Sequence, residues 1–211
     1  DLHSFPTRRS SDLVQLGNDL TALTQHEAWF GAGRDHERFA LVTVGAGVGY
    51  GLVVDGGVIT SPDAELGLLG TIPVPDGARP PVASPAMDCL TDTALERAWA
   101  AAGGGPARAE AIVRRAADGD RAAVAVCASF ARRLGRLIGM LAAFTLPEVV
   151  VVAGERAAVA SLFEEQVMVG IAAVRRASAR SPTIAVREHE RVDWARGAAC
   201  LALRSRVMGE L

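Results

Sequence analysis

The stretch that decides the fold is FALVTVGAGVGYGLVVDGGVI, residues 39–59. Two β-rich runs, 39–44 and 51–55, flank a turn with glycines at 45, 47, 49 and 51, and a Gly-Gly pair then leads into a third short run, a hairpin signature. A dinucleotide-binding fingerprint needs a strand followed by a helix, and a Walker loop needs a lysine, so neither fits. Glycines between paired strands let backbone N–H groups approach an anion closely. The alternative is a tight hairpin with glycine bulges.

Along the rest of the chain, helical patterns alternate with buried strands. Apolar residues at a 3.6-residue spacing predict a long helix over 120–145, and residues 148–153 are a nearly continuous apolar run of the kind buried on both faces of a sheet. The other predicted elements are helices over 14–33, 91–102, 107–117, 157–177 and 193–208, and a strand over 183–187. A hairpin followed by alternating helices and strands predicts the α/β class.

Composition narrows the function. The 211 residues carry 22 basic side chains, all Arg, against 24 acidic ones, for a formal net charge of −2. Binding along a nucleic-acid backbone needs a clear positive excess, so we expect no direct nucleic-acid contact by this chain. Cys89, Cys127 and Cys200 are too scattered for a disulfide framework, which favours a cytoplasmic location. No uninterrupted apolar stretch reaches the roughly 20 residues of a membrane span.

The first thirteen residues, DLHSFPTRRSSDL, differ from the rest of the chain. They are polar, rich in Ser and Arg, and lack the apolar run and cleavage site of a signal peptide. The string resembles the translation of a common sequencing adapter, and we therefore predict that residues 1–13 are a non-native artefact; a natural Ser/Arg-rich arm is the alternative. Under this interpretation the native part is 14–211, and we expect it to be the C-terminal part of a longer protein.

Asn18 and Asp19 lie near the start of the first predicted helix. A polar side chain there usually caps the helix by accepting hydrogen bonds from its unpaired N–H groups. The other interpretation is chemical, because a carboxylate so placed is a candidate general base for a substrate hydroxyl. The dipeptide alone favours the cap.

Together these features resemble the ROK family, which comprises repressors, uncharacterised reading frames and sugar kinases. The resemblance is carried by NDLTALTQHEAWFGAG (18–33), the glycine-rich hairpin, PDAELGLLGTIPV (62–74), LPEVVVVAGE (146–155) and ARGAACLAL (195–203), in family order and at family spacing. It implies an actin-like ATPase fold of two lobes, each built on an RNase H-like sheet, with a sugar cleft between them. Residues 14–211 would form the large C-terminal lobe with the interlobe helices, and most of the small lobe would be missing.

The resemblance implies roles for six positions. Asp19 falls where family kinases keep the base that deprotonates the sugar hydroxyl, and Asn18 where a sugar-binding residue precedes it. Gly45, Gly47 and Gly49 fall in the turn that cradles nucleotide phosphates. Gly154 falls at the strand end beside the adenosine pocket.

The family's sugar-binding ExGH motif is broken. Its Glu and His, which grip the sugar, correspond to Leu68 and Thr71 in the sequence LLGT at 68–71. A register shifted by three would keep Glu65 but put Leu68 at the histidine, so the motif is lost either way. Leucine accepts no hydrogen bond and threonine is no imidazole ligand. Losing a buried hydrogen bond to a substrate hydroxyl costs on the order of 1–3 kcal/mol.

Two further positions depart from the family's kinases. Cys89 alone remains near the last cysteine of the family's zinc segment, and one thiol with Thr71 in place of histidine makes no closed tetrahedral site, so zinc is not expected. The threonine that kinases usually carry within the glycine-rich turn is Ala46. Asp19 survives, but it also survives in family repressors and decides nothing.

Three expectations concern the first and last helices. The pair His26-Glu27 does not match the HExxH zinc motif, and a pair on the helix surface is predicted. Gly197-Ala198-Ala199 predicts close packing of the last helix against a neighbouring element. If the small lobe is missing, the helix containing Asp19 and the helix over 193–208 should each expose an apolar stripe.

These observations predict the effector-sensing lobe of a ROK-type transcriptional regulator with a degenerate kinase site. Its effector would be a small molecule such as a sugar, it would need no cofactor, and its winged helix for DNA binding would be encoded upstream of residue 14. We expect the full-length protein to be a homo-oligomer. The alternative is a fragment of an ATP-dependent hexose kinase, in which Asp19 is the base and Mg-ATP the phosphoryl donor; a truncated product without function of its own is a third possibility.

Overall fold

The computed structural model describes residues 17–78, 80–188 and 191–207, so residues 1–13, for which a non-native origin is predicted, lie outside it. The strands are β1 (Phe39–Val44), β2 (Val48–Val54), β3 (Gly57–Val58), β4 (Pro73–Pro75), β5 (Ala83–Pro85), β6 (Val149–Ala153) and β7 (Thr183–Val186). The helices are α1 (Asp19–Phe30), α2 (Ala86–Cys89), α3 (Asp92–Ala101), α4 (Ala109–Ala117), α5 (Arg121–Thr145), α6 (Ala158–Leu162), α7 (Glu164–Val174) and α8 (Arg191–Val207).

Five of these strands form one mixed sheet in the order β3-β2-β1-β6-β7. β1 pairs antiparallel with β2 and parallel with β6, and β6 runs parallel to β7. An antiparallel hairpin joined to parallel strands is the arrangement of an RNase H-like sheet. β2 begins three residues before the predicted run 51–55, because its glycines pair as ordinary strand positions: Val44 lies opposite Val48, and Leu41 opposite Gly51.

Both faces of the sheet are covered by helices. Ala40 and Val152 point into a core shared with α3, α4, α5 and α7, whereas Leu41 and Val151 point into a smaller core shared with α1 and α8. Every residue of β6 is buried, as the continuous apolar run predicted. None of the described helices is long and apolar enough to span a bilayer.

The long helix α5 anchors the larger core. The Asp120 carboxylate caps its start by accepting two backbone N–H groups at 2.9 and 3.0 Å. A Cβ at Gly135 would overlap the carbonyl oxygen of Val167, so α5 and α7 are in direct backbone contact. The single helix predicted over 157–177 is wrong: Phe163 leaves helical geometry, with φ −127° and ψ 42°, and divides the segment into α6 and α7.

The helices α1 and α8 pack closely on the opposite face. A Cβ at Gly197 would overlap the carbonyl oxygen of Ala22, which confirms the close packing predicted for the last helix. The surface pair predicted for His26 and Glu27 is wrong, because their exposed fractions are 3% and 0%. His26 Nε2 lies 3.5 Å from an Asp193 carboxylate oxygen, and a Glu27 carboxylate oxygen accepts the N–H of residue 32 at 2.7 Å.

The predicted apolar stripes appear on one of these helices. On α1, Ala22 and Leu23 are buried and the terminal Phe30 is exposed, so the stripe predicted for α1 is wrong. On α8, Leu203 and Val207 lie one turn apart and are both exposed.

Residues 61–90, here called the 61–90 segment, fold into short elements whose buried side chains Leu69, Val74, Ala86 and Leu90 join the larger core. The 61–90 segment contains two 3₁₀ turns, Asp63–Leu66 and Leu68–Thr71, the β4–β5 hairpin and α2. Asp76 closes a loop of this hairpin, and backbone N–H groups donated to its carboxylate lower its pKa. The Arg136 guanidinium of α5 packs against Gly77 from below and is only 8% exposed.

Candidate functional site

The start of α1 separates the two interpretations of Asn18 and Asp19. The Asn18 side-chain oxygen is the cap, accepting the N–H of Leu20 at 2.9 Å and that of Thr21 at 3.2 Å. Asp19 lies in the first turn and is exposed. Because Asn18 does the capping, the carboxylate of Asp19 is not needed for it.

The glycine-rich turn between β1 and β2 is closed by its own backbone. The N–H of Gly45 donates to the carbonyl oxygen of Gly47 at 3.1 Å, and the carbonyl oxygen of Gly45 accepts the N–H of Asp92 at 2.7 Å. Arg156 holds Asp92 in turn, with 2.7 Å between the guanidinium Nε and a carboxylate oxygen. The turn is therefore fixed to the start of α3 and to the residues after β6.

Three of the four glycines with implied roles have a neighbouring atom where a Cβ would lie, and at Gly154 this neighbour is backbone. A Cβ at Gly45 would overlap the Glu155 carboxylate, and one at Gly49 would lie 2.8 Å from a Leu20 methyl group. Gly154 has a φ of +91° and its Cβ would lie 2.5 Å from the carbonyl oxygen of residue 44. Around Gly47 nothing lies within 4 Å, and Ala46 beside it is exposed.

One cavity lies between the start of α1, the β2–β3 hairpin and the 3₁₀ turns, with a volume of about 260 Å³. Asn18, at the implied sugar-binding position, and Leu68, at the position of the motif's glutamate, both line it. Leu68 is 51% exposed. Thr71 is exposed and its hydroxyl donates to the carbonyl oxygen of Leu68 at 2.8 Å, so it does not line this cavity.

A second cavity, of about 710 Å³, opens at the carboxyl end of β6. Gly154, Glu155 and Arg156 form its floor, α4 contributes Arg114, and α8 contributes Trp194. Carboxyl ends of parallel strands are where α/β sheets bind ligands. Of the implied positions, Asn18 and Leu68 line the first cavity and Gly154 lines the second, whereas Asp19, Thr71 and the turn glycines 45, 47 and 49 line neither.

Cys89 lies apart from both cavities. It is half-buried, its thiol lies 3.8 Å from the carbonyl oxygen of Ser84, and burial raises its pKa. Within the described residues no group of three or more His, Cys, Asp or Glu side chains could hold a metal ion. One thiol beside an exposed Thr71 does not fit a tetrahedral zinc site.

Two features of the site were not predicted from the sequence. Glu155 entered only as the last residue of the motif at 146–155, yet its carboxylate lies beside Gly45 of the turn. The pair Asp92–Arg156 joins residues 64 positions apart, and no local pattern announces it. The adjacency of Glu155 to Gly154 was the one available signal.

Fold and site together define the class: an α/β protein with an RNase H-like sheet, a glycine-rich hairpin and a cavity at the carboxyl end of β6, as in actin-like ATPases. More narrowly, the chain belongs to the ROK family, whose model matches residues 7–205. The matched range begins inside the segment 1–13, whose origin stays a prediction.

Relatives in this family include both kinases and a regulator. A glucokinase from Thermotoga maritima is 28% identical over 183 residues, which is 73% of this chain and 56% of the relative. A ROK hexokinase from Thermus thermophilus superposes with a TM-score of 0.74 at 24% identity, over 89% of this chain and 65% of the other. A ROK transcriptional regulator, homologous to the E. coli Mlc protein, gives a TM-score of 0.75 at 22% identity, over 88% and 50%. The chain thus spans about half to two thirds of these relatives.

Proposed function

We propose that this chain is the effector-sensing lobe of a ROK-family transcriptional regulator that binds a sugar without phosphorylating it. Residues 14–211 would form the large lobe, with DNA contact made by a winged helix outside them. The protein would work in the cytoplasm as a homo-oligomer and would require neither zinc nor another cofactor.

The observation that carries this proposal is the position of Glu155. Its carboxylate occupies the space beside Gly45 where a Cβ would stand, on the turn that the resemblance assigns to nucleotide phosphates. Two like charges 4 Å apart repel by about 1 kcal/mol in water and about 4 kcal/mol at an effective dielectric constant of 20. A triphosphate carries several charges, so an acid at this point opposes ATP binding.

The hydrogen bonds of the turn support the same conclusion. The N–H of Gly45 is already donated to Gly47 within the turn. A phosphate cradle depends on N–H groups that point at the ligand. With one donor engaged and a carboxylate alongside, the turn is better suited to closing the hairpin than to holding an anion.

The sugar side lacks the two ligands of the ExGH motif. Leu68 lines the cavity where the family's glutamate would accept a hydroxyl, and the Thr71 hydroxyl is donated to the backbone. Asp19 would then be a general-base position without a phosphoryl donor. This arrangement suits binding that is not followed by chemistry.

The kinase remains the second candidate because Asp19 is exposed and is not consumed by the helix cap. The similarity to a glucokinase points the same way. Under this alternative Mg-ATP would be the donor, and Asp19 would take the proton of the sugar hydroxyl.

A coupled ADP-release assay on the full-length protein with a panel of hexoses separates the two. We expect no turnover above a protein-free blank, and we expect calorimetry to detect no ATP binding. Turnover that disappears in Asp19→Asn would overturn the regulator in favour of the kinase.

The role of Glu155 is tested in the same protein. Glu155→Gly should bring binding of a non-hydrolysable ATP analogue into the range that calorimetry detects, a gain of at least about tenfold, or 1.4 kcal/mol, over the detection limit, because it removes both the charge and the side chain. Glu155→Gln removes the charge but keeps the size of the side chain, so it separates the effect of charge from the effect of volume. Glu188→Gln, at a second acid lining the 710 Å³ cavity, is the matched control and should change little. Equal effects at both positions would contradict a specific role for Glu155.

A further inference from the structure

We infer that the ligand of the 260 Å³ cavity is a sugar derivative that carries an apolar substituent, such as an aryl or alkyl glycoside, rather than a free hexose. The inference rests on the proposed function, because it names the ligand class of the same sensing site. It is carried by the chemistry of the cavity wall beside Asn18.

The cavity has few polar groups and they come mainly from one element. On α1, the Asn18 side-chain oxygen is engaged in the helix cap, which leaves its amide N–H₂ to face a ligand, and Thr21 adds a hydroxyl. The Thr24 hydroxyl is donated to the carbonyl oxygen of Leu20 at 2.7 Å. Asp63 contributes a carboxylate from the first 3₁₀ turn. These groups suffice to orient one hydroxylated edge of a sugar ring.

The remaining wall is mostly aliphatic, with Tyr50 as its aromatic member. Six apolar side chains line it, drawn from α1, the β2–β3 hairpin and the second 3₁₀ turn: Leu20, Leu52, Val58, Ile59, Leu68 and Leu69. A free hexose carries hydroxyls around its whole ring, so binding here would leave hydroxyls facing carbon without a hydrogen-bond partner. An aliphatic or aromatic substituent in the same place would instead remove apolar surface from water on both sides.

The exposure of this wall supports the same reading. Ile59 and Leu68 both line the cavity, yet each remains about half exposed, at 50% and 51%. Large apolar side chains left open together at a cavity mouth are a feature of binding sites. The volume of about 260 Å³ lies just under the roughly 300–1,000 Å³ of drug-sized pockets, so it suits a substituted monosaccharide rather than an oligosaccharide.

The test is calorimetric titration of the full-length protein with glucose, galactose and mannose and with the phenyl α- and β-glycosides of each. For at least one sugar we expect a phenyl glycoside to bind at least about tenfold more tightly than the free sugar, equivalent to 1.4 kcal/mol. Leu68→Glu should abolish or reverse this preference, because it restores an acceptor and removes the apolar surface.

Leu66→Glu is the matched control. Leu66 lies two residues away, is 68% exposed and does not line the cavity, so this variant should keep the wild-type preference. Near-native circular dichroism and thermal unfolding of both variants would show that they fold; if Leu68→Glu fails to fold, Leu68→Gln replaces it.

The outcomes distinguish this inference from the proposed function. A free sugar that binds as tightly as its phenyl glycosides, without being phosphorylated, would overturn the inference and leave the regulator standing. Phosphorylation of a hexose would overturn the regulator, while a phenyl preference in the same protein would still support the inference. No binding by any of these sugars would overturn both. If Leu66→Glu and Leu68→Glu instead changed only the oligomeric state, and to the same extent, the two leucines would belong to a protein-binding surface and the inference would be overturned.

Discussion

The glycine-rich hairpin and the 61–90 segment lie on opposite sides of one cavity and are held in different ways. The hairpin is fixed by the sheet and by the Asp92–Arg156 pair, and its glycines 45, 49 and 51 are in close contact with neighbours. The 61–90 segment has short elements, several exposed apolar side chains, and Gly67 with open space around it. On the side of the hairpin, close packing thus determines the backbone of the site. On the side of the 61–90 segment, individual side chains determine the chemistry of the site.

Glycine replacement should break this contrast most visibly. Gly154→Ala puts a Cβ 2.5 Å from a backbone oxygen at a φ of +91°, and we expect a loss of about 3 kcal/mol or more in the free energy of unfolding. Gly67→Ala has a similar φ of +63° but meets nothing within 4 Å, so it should cost only about 1 kcal/mol. Urea unfolding of both variants measures the difference. Equal losses would mean that backbone strain alone, not packing at the hairpin, sets the cost.

The ion pair beneath the hairpin provides the next largest effect. Arg156 is mostly buried and binds Asp92 at 2.7 Å, so a double-mutant cycle with Arg156→Met and Asp92→Asn should give a coupling energy of about 1–2 kcal/mol. The matched pair is Arg114–Glu110, which is 3.9 Å apart and well exposed, and for which about 0.3–0.5 kcal/mol is expected. A coupling at Arg156–Asp92 no larger than this would show that the turn is not held by the pair.

At alkaline pH, the buried thiol of the larger core should cost the protein more stability than the thiol of the 61–90 segment. Burial raises the pKa of Cys127 from 9.0 to about 11. The protonated Cys127 thiol therefore makes its full contribution to the free energy of unfolding below pH 9. This contribution is lost as the pH rises through 11, with about 1 kcal/mol of the free energy of unfolding lost by pH 10. Cys127→Ala should reduce this alkaline loss in urea unfolding at pH 8–10, whereas Cys89→Ala should leave most of it. The opposite ranking would place the titrating thiol in the 61–90 segment.

Metal removal should have the smallest effect. Because Cys89 has no set of partner ligands for zinc among the described residues, EDTA and phenanthroline should leave the Tm of the full-length protein unchanged. Elemental analysis of the untreated protein is the companion measurement. A fall in Tm with stoichiometric zinc would show that the 61–90 segment is held by a metal after all.

Periodicity predicted the regular elements well because their cause is local. The stripe of α5 and the apolar run of β6 are patterns of neighbouring residues, and both elements lie where they were expected. The 61–90 segment was predicted less completely. Its prolines and glycines obscure the sequence patterns of the short strand β5 and the short helix α2, which form through packing against the rest of the hairpin and α5.

Burial of polar residues could not be predicted from the sequence because its cause is distant. His26 and Glu27 look like surface residues in their own helix, and their charged neighbours, Asp193 and Arg187, lie about 160 residues away. The same holds for Glu155, whose closeness to Gly45 depends on β1 lying beside β6. Pairing of strands far apart in sequence decides which side chains meet at the site.

The packing of α1 against α8 has a consequence for synthesis on the ribosome. Gly197 touches the backbone of Ala22, and Arg204 donates to the side-chain oxygen of Gln25 at 2.6 Å, so the first described helix is completed by the last. At about 5–20 residues per second, the intervening 160 or so residues take on the order of ten seconds to translate. During that interval α1 can pack on β1 and β2, but the part of its surface that contacts α8 stays open to aggregation until α8 emerges from the ribosome.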